Sequence, residues 1–344
     1  MSTSHQQRLG THKNRIYLYD NIKFIAILLV VIGHAIDFLT RVDGNRFEQS
    51  LFLTIYSVHM PLFIFISGLF LKPMDKTAPF PKQKVISYVL IGMAIRVFNA
   101  VLRMICGMKP NYSVLDMYDS YAWFMWAIAA FIAIMWLFRE YNTKSVLAIT
   151  LIIGIMAGYD KNLGDKLALM RICVFLPFFT VGYMLEPESL ARILSKKWIK
   201  VLSAVIVVAV LACFFLDQRL YDLRSIFTGR NSYEVLDEYY AFGFIFRIAA
   251  YLISAVFGFA IMSLVPNRSF GALTAVGTKT LQIYFWHKIF LILLERFNVY
   301  GQISALTGDA IATLIYIAIA VIIAFVCALP PFAFPTKQLL SFGK

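Results

Sequence analysis

Four ionisable residues share one apolar segment near the start of the chain. Residues 19–38, "YDNIKFIAILLVVIGHAIDF", contain Asp20, Lys23, His34 and Asp37 within a run that otherwise suits lipid. In an α-helix, Lys23 and His34 lie on one face about three turns apart, which is ~16 Å along the axis. Asp37 follows His34 by one turn, and Asp20 precedes Lys23 by one turn. The spacing therefore predicts a polar stripe along an apolar helix.

This stripe combines an acid–base pair at one end with an anion-binding group at the other. A neutral histidine oriented by a carboxylate is a usual general base, so His34 and Asp37 are candidate catalytic residues. Lys23, adjacent to Asp20, suits a phosphate or another anion and is the third candidate catalytic residue. The alternative is that His34 only bonds a neighbouring helix and that Lys23 extends to the membrane interface. The spacing leaves both interpretations open.

A second histidine is expected at a similar depth. His59 lies in "YSVHMPLFIFISG", about eight residues below the outer end of the second apolar segment, and is therefore ~12 Å deep. His34 and His59 indicate a shared polar cavity, although a structural hydrogen bond is an equally simple role for His59. Pro61 is expected to break this helix one turn after His59 and to free backbone carbonyl groups.

Other polar residues interrupt later apolar segments. An Asp, Lys or Arg at mid-bilayer costs about 2.5–3.5 kcal/mol on insertion scales, so such groups tend to face a cavity or a partner. Trp123 is typical of an interfacial aromatic belt, which needs no further role. The candidate substrate-binding residues are His59, Arg96, Arg171, Arg247, His287, Trp123 and Asp20.

The composition predicts an all-α polytopic membrane protein. The chain has 344 residues, of which 60% are hydrophobic and 15% charged, whereas soluble domains carry about 25% charged residues. Its apolar segments approach or exceed the ~18 residues that cross a bilayer, except for a short fifth segment. The ten predicted helices are 19–40, 51–71, 85–105, 121–138, 145–158, 168–185, 198–216, 242–265, 279–295 and 308–334.

The distribution of charge orients these helices. With a cytoplasmic N-terminus, the inside segments hold 17 basic and 4 acidic residues, and the outside segments hold 10 basic and 13 acidic residues. Basic residues collect in cytoplasmic loops, so ten helices with both termini cytoplasmic are favoured. The longest polar loop, 217–241, then lies outside. It is either a solvated connector or a cap that binds an acceptor.

The same pattern excludes several other functions. The net charge of +13 is explained by the inside loops, so nucleic-acid binding is not expected. The four cysteines have no CxxC spacing, and the histidines form no HxxxH or HExxH pattern. The sequence therefore predicts neither a disulfide framework nor a metal site, and catalysis is expected to be independent of metal.

Five stretches, in this order, carry a resemblance: "YDNIKFIAILLVVIGH", "FLTIYSVHMPLFIFISG", "AWFMWAI", "FFTVGYML" and "IYFWHKI". Together they resemble the membrane-bound acyltransferase 3 family, and within it the branch of fucose 4-O-acetylase-like sugar O-acetylases. The resemblance implies transfer of an acetyl or other acyl group from cytoplasmic acetyl-CoA to a hydroxyl of a cell-envelope saccharide. It maps the family's functional pair onto Lys23 and His34. His34 would act as base or acyl relay, and Lys23 would help to hold the CoA phosphates or orient the donor.

The resemblance also sets expectations for partners and domains. It implies a multi-pass protein of the bacterial inner or plasma membrane, in contact with lipid, without a permanently bound cofactor. Many members carry an RxxR motif after the second helix, where this chain has lysines instead, which puts the role of an arginine pair in doubt. We expect a polar tail (1–14), one transmembrane acyltransferase domain (15–335) and a short cytoplasmic tail (336–344). The alternative function is a transporter or flippase of a lipid-linked sugar.

Overall fold

The computed structural model describes residues 16–43, 45–110, 112–113, 116–117, 120–164 and 166–342, with the backbone alone for 41–43. The predicted polar tail (1–14) therefore lies outside the described residues. The α-helices are α1 (Tyr17–Asp43), α2 (Arg46–Tyr56), α3 (His59–Leu69), α4 (Lys82–Ile105), α5 (Trp123–Leu137), α6 (Thr143–Met156), α7 (Leu169–Met184), α8 (Pro187–Leu194), α9 (Lys197–Leu216), α10 (Arg224–Phe227), α11 (Gly243–Leu264), α12 (Ala272–Gly277), α13 (Thr280–Arg296), α14 (Val299–Thr307), α15 (Asp309–Cys327) and α16 (Thr336–Leu340).

These helices fit an all-α polytopic membrane protein, as predicted. Two shorter apolar helices, Trp123–Leu137 and Thr143–Tyr159, lie where the fourth and fifth helices are predicted. The count of ten membrane-spanning helices stays a prediction. Two bent pairs, α7–α8 at 93° and α13–α14 at 59°, could each form one span. Within the described part of the chain, six helical segments are long and apolar enough to cross a bilayer: Tyr17–Thr40, Arg46–Leu69, Lys82–Ile105, Lys197–Leu216, Tyr233–Leu264 and Asp309–Cys327.

The second predicted helix is interrupted, but not at Pro61 as expected. The break falls at Ser57 and Val58, between α2 and α3, and Pro61 is the third residue of α3. Proline is tolerated there because the N–H groups of the first helical turn have no intrahelical partner. The carbonyl group freed at Ser57 accepts a hydrogen bond from Ser254 Oγ at 2.5 Å.

The tenth predicted helix ends at Cys327 instead of 334. Pro330 and Pro331 follow, and proline cannot donate the backbone hydrogen bond that would continue a helix. The predicted C-terminal tail contains α16, and Gln83 Nε2 of α4 donates a hydrogen bond to the Phe342 carbonyl oxygen at 3.4 Å. The described part of the tail therefore packs on the helices.

Helix α1 lies at the centre of the molecule. It packs against α2, α3, α12, α13 and α15, while α3 packs closely against α7. At this second contact a Cβ atom on Gly68 would lie 2.1 Å from the Phe179 carbonyl oxygen, and one on Gly182 would lie 2.1 Å from that of Phe65. Glycine is required at both positions because the two backbones touch.

Residues 217–241, which we name the cap segment, fold over one end of the helices. The segment contains short 3₁₀-helices and α10, and its Ile226 and Tyr233 are completely buried. Arg247 Nη1 donates to the Ile226 carbonyl oxygen at 2.6 Å, and Tyr233 Oη donates to that of Ile155 at 2.7 Å. Because these anchors are buried, the cap segment is a packed element and not a solvated connector.

Candidate active site

A cavity of about 820 Å³ lies between the cap segment and the helix ends predicted to face outward. Five of the predicted site residues line this cavity, which brings together side chains from four separate stretches of the chain. They are His34, Asp37, His59, Trp123 and Arg171.

His34 contacts a second histidine that lies behind the cavity wall. His34 Nδ1 is 2.8 Å from His287 Nε2, and the two rings stack with their centroids 5.1 Å apart. His287 is fully buried, and its Nδ1 lies 3.0 Å from the Ile283 carbonyl oxygen. Since a carbonyl only accepts, His287 Nδ1 carries the proton and His287 Nε2 accepts from His34 Nδ1. His34 is thereby fixed with its lone pair on Nε2.

The role of Asp37 stays a prediction. The sequence spacing suggested that Asp37 orients the His34 ring, but the contact of His34 Nδ1 is with His287. Asp37 lines the same cavity and remains a candidate for contact with a substrate. The α1 stripe was predicted from one helix alone, so the partner from α13 could not be seen in it.

Two tyrosines hold the histidine pair in place. Tyr121 Oη donates to the Phe285 carbonyl oxygen at 2.8 Å, and Tyr284 Oη donates to the Tyr121 carbonyl oxygen. The Tyr121 ring lies 5.3 Å from the His287 ring and 6.1 Å from the His34 ring. Both tyrosines line the cavity, so the His34 imidazole has aromatic neighbours that are held by hydrogen bonds.

His59 reaches the cavity from α3. Its Nδ1 lies 2.8 Å from the Ile55 carbonyl oxygen and donates to it, which leaves the lone pair on Nε2. The ring packs against Tyr56 at 4.7 Å between centroids. His34 and His59, which the sequence places at a similar depth, thus line one cavity.

Arg171 and Trp123 form a cation–π pair on the cavity wall. The Arg171 guanidinium carbon lies 4.9 Å from the centroid of the Trp123 ring, and this ring stacks on Phe175 at 5.7 Å. Only 6% of Arg171 and 8% of Trp123 are exposed. Trp123 is therefore an inner wall residue and not part of an interfacial belt.

Besides His287, four predicted residues do not line this cavity. Lys23 Nζ pairs with Asp20 at 2.8 Å and lies 5.7 Å from the Phe70 ring centroid, near the opposite end of α1. Arg96 donates to the Asp116 carbonyl oxygen at 2.9 Å and lines a neighbouring cavity of about 100 Å³. Arg247 supports the cap segment through Ile226. The catalytic role of Lys23 and the substrate-binding roles of the other three residues stay predictions.

The sequence did not single out the basic residues that the cap segment and the outer helix ends contribute. The signal for them is weak, because arginines in a polar loop are usually solvated. Lys288 was visible beside His287 but had no assigned role. The basic residues that line the cavity and were not predicted as site residues are Arg103, Arg224, Arg230 and Lys288. Among the described residues, no three His, Cys, Asp or Glu side chains are grouped so that they could hold a metal ion.

Comparisons with known proteins agree with the family that the sequence resembles. A family model, Acyl_transf_3, described as an acyltransferase domain, matches residues 16–329 and so includes α1, α13 and the whole cavity. No curated protein and no solved structure matches the chain. The family match covers most of the 344 residues and shows that the chain belongs to the acyltransferase 3 family.

Proposed function

We propose that this membrane acyltransferase moves an acetyl group from cytoplasmic acetyl-CoA to a hydroxyl of a cell-envelope saccharide. The observation that carries the proposal is the hydrogen-bonded pair of His34 and His287, which leaves the His34 Nε2 lone pair at a polar cavity. The enzyme works in the cell membrane, with lipid around its helices and the acceptor in the cavity.

His34 acts as the general base in the transfer. Its Nε2 takes the proton of the acceptor hydroxyl while the hydroxyl oxygen attacks the thioester carbonyl carbon. The new C–O ester bond forms, the C–S bond breaks, and the proton passes to the CoA sulfur. His287 Nε2 accepts from His34 Nδ1 and stabilises the imidazolium that exists between the two proton transfers.

Lys23 serves the donor from the other end of α1. It lies ~16 Å from His34 along the helix, so the two residues cannot act on the same atoms. CoA carries its phosphates at the far end of a long pantetheine arm, which suits a charged contact near Lys23 and a thioester near His34. The pair with Asp20 keeps Lys23 in place in the absence of donor.

Radiolabelled acetyl transfer from acetyl-CoA into membrane glycan tests this function in vesicles that contain the full chain. His34→Gln keeps an amide that can donate to His287 but has no base, so labelling should fall by about a hundredfold or more. Asp20→Asn with Lys23→Gln removes both charges together, and the KM for acetyl-CoA should rise. Arg219→Gln changes an exposed residue outside the cavity and is the control for expression.

The possible results separate the alternatives. Labelling that persists in His34→Gln at the wild-type rate would contradict the role of His34 as base. A wild-type protein that moves a lipid-linked sugar across the membrane without acetyl-CoA, and labels nothing, would support the transporter alternative.

A further inference from the structure

The large cavity carries an excess of positive charge. The charged residues that line it are Arg103, Arg171, Arg224, Arg230 and Lys288 on the basic side, with Asp37 and Glu295 on the acidic side. The formal sum over these described residues is +3. The small neighbouring cavity shares Arg103 and Lys288 with it and adds Arg96 and Lys109, so the basic lining continues beyond the main chamber.

These basic side chains come from four different parts of the fold. Arg103 ends α4, Arg171 begins α7, Lys288 lies in α13, and Arg224 and Arg230 belong to the cap segment. A single snorkelling helix does not explain a cluster that converges from four directions. The packing that folds the cap segment over the helix ends is what places Arg224 and Arg230 at the cavity.

Like charges that line one cavity repel each other, and an anion that binds between them relieves this repulsion. Part of the charge is already compensated, because Arg171 lies over Trp123 and Arg224 Nη1 is 3.4 Å from Asp222 Oδ1. Asp222 itself is largely exposed and does not line the cavity, so the net charge of the described lining residues remains positive.

We propose that the acceptor saccharide carries an acidic group, a carboxylate or a phosphate, close to the hydroxyl that is acetylated. This inference rests on the proposed function. Arginine binds both groups through two parallel hydrogen bonds, so the cluster fixes the orientation of the sugar as well as its charge. With the acidic group held by Arg171 and the cap arginines, a neighbouring hydroxyl is presented at the end of the cavity that contains His34.

The position of the cavity indicates that the anion belongs to the acceptor saccharide and not to acetyl-CoA. The cap segment and the helix ends around it lie on the side predicted to be outside, whereas acetyl-CoA is cytoplasmic. The charge contact available to the CoA phosphates near Lys23 is at the opposite end of α1. Occupation of this cavity by CoA itself is an outcome that the experiment below detects.

A binding experiment tests the inference without requiring turnover. The purified full-length protein is heated with an oligogalacturonate, with a phosphorylated oligosaccharide, with the neutral galactose oligosaccharide or with CoA. Stabilisation by either acidic saccharide and not by the neutral one is expected, and the comparison of the two distinguishes carboxylate from phosphate. Equal stabilisation by the neutral sugar, or competition between CoA and the acidic sugar, would overturn the inference.

Variants of the cap segment test whether its arginines bind the acidic saccharide. Arg224→Gln with Arg230→Gln should weaken binding of the acidic saccharide roughly tenfold or more, because it removes the charged hydrogen-bond donors of two guanidinium groups. Arg230→Lys in place of Arg230→Gln should restore part of it. Arg219→Gln alters a cap arginine that pairs with Asp217 outside the cavity and should bind as the wild type does. Unfolding temperatures without ligand show whether each variant folds.

Labelling of natural glycan gives a second readout. Envelope glycan acetylated in the vesicle assay is separated on an anion exchanger, and the label is expected in the retained fraction. Label in the unretained, neutral fraction would contradict the inference while upholding the acetyltransferase. Absence of label from every fraction would instead count against the proposed function, and the binding experiment would still decide the charge of the ligand.

Discussion

At the scale of single residues, the site uses an imidazole where many active sites use a carboxylate. His287 is fully buried, and a carboxylate at that depth would bring a charge into a region of low dielectric. The neutral His287 can accept a hydrogen bond from His34 Nδ1 at its Nε2 because its own Nδ1 donates to the Ile283 carbonyl oxygen. His287 thus fixes the orientation of His34, the proposed base, without adding a buried charge of its own.

Substitution of His287 should therefore impair turnover more than binding. In His287→Ala, the ring of His34 loses its orienting acceptor, and kcat should fall roughly tenfold to a hundredfold. In His287→Gln, the amide oxygen can accept the same hydrogen bond from His34 Nδ1, and this should restore part of the rate. Steady-state kinetics measure both, with the KM for acetyl-CoA expected to stay close to the wild-type value. If Ala and Gln were equally active, His287 would not position His34.

At the scale of elements, two glycines set the distance between α3 and α7. These helices carry His59 and Arg171 to the cavity, so their contact fixes the width of the site. Because the backbones touch at Gly68 and Gly182, the spacing does not depend on side-chain packing there. A change at either glycine must displace a helix and cannot be absorbed by a rotamer.

Gly68→Ala should destabilise the protein by about 1–3 kcal/mol or more, the usual range for overpacking. Gly258→Ala in α11 is the matched control, since its Cβ atom would lie 3.5 Å from Val58 Cγ2, an ordinary contact. The control should be neutral or slightly stabilising because alanine favours a helix. Thermal unfolding of the two purified variants in detergent measures the difference, and equal unfolding temperatures would contradict the proposed close contact.

The helices were largely predictable from the sequence, whereas the contacts between them were not. The α1 stripe follows from a local period, and each predicted helix overlaps an observed one. His34 and His287 are 253 residues apart, so no local spacing could join them. Pro61 gave a misleading signal because proline acts differently in the first turn of a helix than in its interior. The break at Ser57 and Val58 contains neither Pro nor Gly and carried no signal of its own.

At the scale of the whole molecule, the charge distribution predicts which helix ends face outward. In a variant without native cysteines, Tyr239→Cys in the cap segment should react with an impermeant thiol reagent in intact cells. Lys196→Cys, between α8 and α9, should react only after the membrane is permeabilised. Both native side chains are exposed, so accessibility within the protein does not separate them. The opposite pattern of labelling would invert the proposed topology and place the cavity on the cytoplasmic side.

The apolar middle of α1 separates the two polar ends of that helix. Ile27, Val30 and Val31 lie between Lys23 and His34 and are almost completely buried. This stretch acts as an electrical insulator between the two aqueous compartments. In the proposed reaction the acyl group moves outward as the hydroxyl proton moves inward, so no net charge crosses the membrane. We expect the rate of acetylation to be unchanged when a potassium diffusion potential is imposed on the vesicles, whereas a carrier of a charged sugar phosphate would respond to the voltage.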